Sequence, residues 1–82
     1  MTPDQARDAR ALLGWSKLQV ALRSGTSRHF VTVFEATGRA APVLGWTKKV
    51  DALAVVRATL EAAGVEFTDD VVPGVRMRKA SE

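Results

Sequence analysis

The stretch "LGWSKLQVALRSGTSRHFVTVFEATG", residues 13–38, decides how this chain folds. It holds two short helical segments and the punctuation between them. Ser16 followed by Gln19 forms a capping box, in which the hydroxyl accepts one free N–H of the first turn and the amide oxygen accepts another. Trp15, just before the cap, and Val20, at the fourth helical position, are spaced for a hydrophobic staple. The spacing predicts a helix over Lys17–Ser24, with Gly25 able to take the left-handed conformation that turns the chain sharply. Ser27 then caps a helix over Arg28–Ala36, and Gly38 closes it. Val31 and Phe34 lie three apart on its inner face, while spacing alone does not place Phe30 and Val33.

Two short helices joined by a turn of about three residues are the outline of a helix-turn-helix, whose second helix enters the DNA major groove. Ala21, four residues before Gly25, is small enough to let the helices approach closely. Val20, Val31 and Phe34 then converge with Leu13 into one core. The residues left pointing outward from the second helix are Arg28, His29 and Thr32, with Val33 at the margin that spacing does not place.

Upstream, Thr2, Pro3 and Gln5 announce a helix with a T-x-x-Q capping box and proline at the first helical position. Ala6, Ala9 and Leu13, with Leu12 beside them, form its inward stripe, and Gly14 ends it. Downstream, "GRAAPVLGWT" is a loop punctuated by glycine and proline. Its "LGWTK" nearly copies the "LGWSK" of residues 13–17, which reads as convergent helix-start chemistry. Thr47 is accordingly expected to cap a fourth helix over Lys48–Ala63, ending at Gly64, with Leu53, Val56, Leu60 and Ala63 as its buried stripe. "VEFT" and "GVRMR", separated by "DDVVP", read as a short hairpin, with Asp69 and Asp70 as turn residues. A lone hairpin is marginal in water, so this one must lean on a helix or on a second subunit.

The chain of 82 residues makes one small domain near the lower limit for an independent core. Its apolar share of 46% separates it from a disordered tail. The absence of cysteine excludes a disulfide framework and thiolate metal sites. No apolar run approaches the roughly 18 residues of a membrane span, and the polar start "MTPDQARDAR" lacks a signal-peptide core. A cytoplasmic, nucleoid-associated protein is expected. Residues 1–49 carry eight Lys/Arg against three acids, a net of +5, whereas residues 50–82 carry four against six, a net of −2. That asymmetry suits a domain that presents one face to a polyanion. His29 is the sole histidine and has no accompanying carboxylate or cysteine cluster, so neither a metal site nor a catalytic base is expected, and the chain reads as a non-enzyme without cofactors.

Residues 13–38 resemble the Cro/phage-repressor (xenobiotic-response-element, XRE) helix-turn-helix regulators. The resemblance rests on Leu13, Gly14, Ser16, Val20, Ala21, Gly25, Ser27, Val31, Phe34 and Glu35, and covers roughly residues 2–62. It implies a mainly α fold: a four-helix, lambda-repressor-like DNA-binding domain over residues 1–64, its helix-turn-helix at about 17–36. Residues 65–82 then form a short C-terminal β-hairpin and tail. The implied partner is double-stranded DNA, read by a bacterial or phage transcription regulator with Arg28, His29, Thr32 and Val33 against base edges. Arg28 suits guanine O6 and N7, and the methyl groups of Thr32 and Val33 suit that of thymine. Ser16, Lys17 and Ser27, at helix N-termini, suit phosphates, and Arg39, Lys48 and Lys49 extend that contact. The resemblance also implies a structural ion pair between Arg10 and Glu35.

Lys17 stands where the family usually carries glutamine, Leu18 and Leu22 stand at usually polar positions, and Phe30 replaces a small hydroxyl residue. Two readings of Leu18 and Leu22 follow. They pack beneath the hairpin or the Trp46 loop, or they form a partner surface, since that face touches RNA polymerase in activators of the family. The alternative function is therefore a protein-interaction module on the same fold, engaging RNA polymerase, a toxin or another regulator through Leu18, Leu22 and Phe30. Specific reading of DNA normally needs a two-fold dimer on half-sites about one helical turn apart, so a homodimer formed by the fourth helix and the hairpin is expected.

Overall fold

Every helix in the computed structural model, which describes residues 1–43, 51–69 and 72–78, begins on a side-chain cap. In α1 (Pro3–Leu13) the Gln5 N–H donates to Thr2 Oγ1 at 3.1 Å and the Thr2 N–H donates to Gln5 Oε1 at 2.8 Å. The same reciprocal box opens α2 (Lys17–Ser24), with 3.1 Å from the Gln19 N–H to Ser16 Oγ and 2.8 Å from the Ser16 N–H to Gln19 Oε1. Ser27 caps α3 (Arg28–Thr37), its Oγ accepting the Phe30 N–H at 3.0 Å. Each such cap contributes about 1 kcal/mol, which matters in so small a domain.

The fourth helix, α4 (Ala52–Ala62), starts later than Lys48. Its cap is Asp51, whose Oδ1 accepts the Ala54 N–H at 3.2 Å. A carboxylate at this end also suits the positive pole of the helix dipole, whereas Lys48 and Lys49 in a first turn would oppose it. Thr47, Lys48, Lys49 and the "LGWTK" near-repeat lie outside the described residues.

Strands β1 (Val65–Asp69) and β2 (Pro73–Met77) pair antiparallel, with Phe67 opposite Val75 and Thr68 opposite Gly74. The hairpin leans on helices: β2 packs on α1 and β1 on α4. Period-2 alternation turns Val65, Phe67 and Val75 to the helices, and Val65 is buried to 1% exposure. Ala9, Val20, Ala21, Phe30, Val31, Ala52, Val56, Leu60 and Val65 form one continuous core to which every helix and the hairpin contribute. The result is a small, mainly helical domain of four helices and a two-stranded hairpin. Among the described residues no helix is long and apolar enough to cross a membrane.

One polar side chain ties the hairpin down. Gln5 is 2% exposed, and its Nε2 donates to the Thr68 carbonyl at 3.2 Å and the Gly74 carbonyl at 3.0 Å. Its Oε1 already serves the α1 cap, so the whole amide is satisfied without water.

Candidate nucleic-acid interface

The α2–α3 turn is built from Gly25, Thr26 and Ser27. Gly25 takes φ +72°, a left-handed conformation that costs an L side chain about 1 kcal/mol or more. The Thr26 N–H reaches back to the Ala21 carbonyl at 3.1 Å, a Schellman-type helix ending. Ser24 Oγ donates to the Val20 carbonyl at 2.7 Å and lies 2.8 Å from Thr26 Oγ1, so the turn is cross-braced by hydroxyls. Ala21 is 3% exposed beneath α3, where its small side chain permits the close approach.

The turn fixes which face of α3 looks out. Phe30, Val31, Phe34 and Glu35 are buried, while Arg28, His29 and Thr32 are exposed and Val33 is half-buried. The apolar and polar positions thus segregate across a helix of ten residues. Ser16, at the start of α2, is exposed, and Lys17 and Ser27 are half-buried. Both serine oxygens accept a cap hydrogen bond, which leaves each hydroxyl hydrogen free to donate to an anion. Arg39, just past α3, is exposed. Lys48 and Lys49 lie outside the described residues.

Orientation of α3 relative to α1 is set by a buried ion pair. Arg10 Nε donates to Glu35 Oε2 at 2.6 Å and Arg10 Nη2 to Glu35 Oε1 at 2.8 Å. The third arm, Nη1, donates to the Trp15 carbonyl at 3.1 Å, so one guanidinium joins α1, α3 and the approach to α2. The hydrogen bond to Glu35 raises the Arg10 pKa above its ordinary value, burial opposes the rise, and the charge of Glu35 adds to it. Arg7 adds a further tie by donating to the Glu35 carbonyl and to Asp4. The ion pair ties α1 to α3.

Phe30 does not belong to any partner surface: it is 1% exposed and part of the core. Three residues past the cap it falls on the same inward face as Val31 and Phe34, and a large ring there gains more from burial than from exposure. Leu18 and Leu22 divide from it, at 50% and 72% exposed on the outer face of α2. Neither packs under the hairpin. Beside them lies a cation that spacing alone does not single out: the Arg23 guanidinium stacks over the Trp15 ring, 4.5 Å from its centroid. The outer face of α2 is therefore apolar and basic, and that of α3 polar and basic.

No protein-family model matches the chain, and a search of curated proteins returns no match.

Proposed function

We propose that the chain is a sequence-specific regulator that binds double-stranded DNA through a lambda-repressor-like helix-turn-helix of the XRE type. The observation that carries this reading is the division of α3, with four buried residues locking one face and Arg28, His29, Thr32 and Val33 offered on the other. A guanidinium at the start of the helix can donate two hydrogen bonds to guanine, and the Thr32 and Val33 methyl groups can meet that of thymine. Ser16, Lys17, Ser27 and Arg39 hold the phosphates on either side, with Lys48 and Lys49 lengthening the contact. Two-fold pairing of chains would supply the second half-site.

The test is selection from a randomised duplex pool, with Arg28→Ala run in parallel. Enrichment of a palindrome that the variant loses is the expected outcome. A well-folded chain that enriches nothing would remove the regulator reading.

A second reading is favoured by the exposure of Leu18 and Leu22: a protein-interaction module on the same fold, meeting RNA polymerase, a toxin or another regulator. The two separate on substitution. DNA binding that fails with Arg28→Ala and survives Leu18→Glu belongs to the regulator, and capture of a protein partner with the opposite pattern belongs to the module.

A further inference from the structure

We propose that His29 meets DNA as the imidazolium, so that docking of α3 takes up a proton and the affinity for DNA rises as pH falls. The proposal rests on the DNA-binding reading and adds to it how the same face is regulated.

The surroundings of the ring carry it. His29 is the second residue of α3, stands exposed, and is the sole histidine of the chain. Among the described residues its ring makes no hydrogen bond and no ion pair. Its chain neighbour Arg28 is a cation, and the first turn of α3 contains no acid. The helices α1 and α2 pack against α3. From α2 come Lys17, half-buried, and Arg23, whose guanidinium lies over Trp15. From α1 come Arg7 and Arg10, both tied to Glu35, and the acids Asp4 and Asp8. Arg7 holds Asp4 while donating to the Glu35 carbonyl, a level about 9 Å along the helix axis from His29. Asp8 is exposed and makes no ion pair with His29. Glu35 is 4% exposed and committed to Arg10. Past the end of α3 stands another cation, Arg39. Between Asp8 and Asp51 the sequence contains no acid other than Glu35. Among the described residues, then, His29 has cations and the positive pole of its own helix around it, and no anion to pair with.

DNA would be the first anion this ring meets. Phosphate oxygens and the O6 and N7 edge of guanine only accept hydrogen bonds. A neutral imidazole offers one donor and one lone pair, and the lone pair gains nothing against an acceptor. The imidazolium offers two donors and a charge. The added proton comes from solvent on binding and returns to it on release, so no other reactant is needed. Histidine is the side chain whose charge ordinarily changes between about pH 5 and 8. With more protons on the complex than on the free chain, affinity climbs as pH falls through that window. The gain levels off where the ring is charged in both states and vanishes where it is neutral in both. Arg28 stays charged throughout and contributes no slope.

The experiment uses the labelled duplex enriched from the randomised pool, titrated by fluorescence anisotropy at fixed ionic strength. Between about pH 8 and about pH 5.5 the parent chain is expected to bind roughly three- to tenfold more tightly at the acid end. His29→Gln keeps a hydrogen-bonding side chain that does not titrate and should remove the slope. Circular dichroism of this variant should match the parent, because the residue is exposed. His29→Arg, charged at every pH in the range, should be flat as well. The Met1 amino group is common to all three chains and cancels in the comparison. Calorimetry in two buffers of different ionisation enthalpy counts the proton directly: between about half and one for the parent near neutral pH, and none for His29→Gln. Tight binding with a flat pH profile, or the same slope in His29→Gln as in the parent, would overturn the proposal alone. No DNA binding at any pH would remove the regulator reading and this proposal with it.

Discussion

The two ends of α1 are held by different chemistry. Near its C-terminus Arg10 grips Glu35 with two charge-assisted bonds of 2.6 and 2.8 Å and adds a third to Trp15. Near its N-terminus Gln5, a neutral amide, shares one nitrogen between two hairpin carbonyls at 3.0 and 3.2 Å. By the parity of the ladder, both carbonyls already accept bonds within the hairpin. The first attachment orients α3 and leaves no slack, while the second only presses a two-stranded ribbon onto the helices. α3 is built to be rigid and the hairpin to be supported.

The comparison breaks hardest at the ion pair. Arg10→Ala leaves Glu35, 4% exposed, as an uncompensated buried carboxylate, and is expected to cost about 3–5 kcal/mol by urea denaturation. Replacing both partners with apolar residues of similar volume should recover most of that loss, and a double variant as unstable as Arg10→Ala would contradict the assignment. A smaller loss, about 1–2 kcal/mol, is expected for Gln5→Ala, which removes half of a capping box and the hairpin tie together. Amide exchange sharpens the contrast: residues of β1 and β2 should lose more protection than those of α3, and a uniform loss would show that the tie is not local. The smallest effect on stability belongs to Arg28→Ala, within about 0.5 kcal/mol, because the residue is exposed. On the proposed function the same substitution weakens specific DNA binding by about 1–3 kcal/mol, read by titration at fixed salt.

What was legible beforehand was the local chemistry. Thr2 with Gln5, Ser16 with Gln19, and Ser27 act within one turn of backbone, so their spacing along the chain already contains their geometry. The start of α4 was less legible, because Thr47 and Asp51 both have side chains that cap and only packing and helix electrostatics choose between them. Phe30 and Val33 flank the centre of the α3 stripe, and at the margin of a ten-residue helix spacing does not separate half-burial from full burial. For Leu18 and Leu22 the deciding fact was what lies above α2, which is a property of the whole fold. The second role of Gln5 was hidden altogether. Its hydrogen-bond partners sit 63 and 69 positions away, and nothing in T-x-x-Q announces them.

That separation also bears on the order of events in time. Contacts between residues so far apart close a loop of most of the chain, and such contacts tend to form late in folding. The helices around Arg10 and Glu35 are separated by 25 positions and can assemble on a much shorter loop. A bond made after the rate-limiting step leaves the folding rate nearly untouched and shows itself in the rate of unfolding. Stopped-flow kinetics of Gln5→Ala should therefore display an unaltered refolding limb and a faster unfolding limb, with the hairpin last to dock and first to lift away.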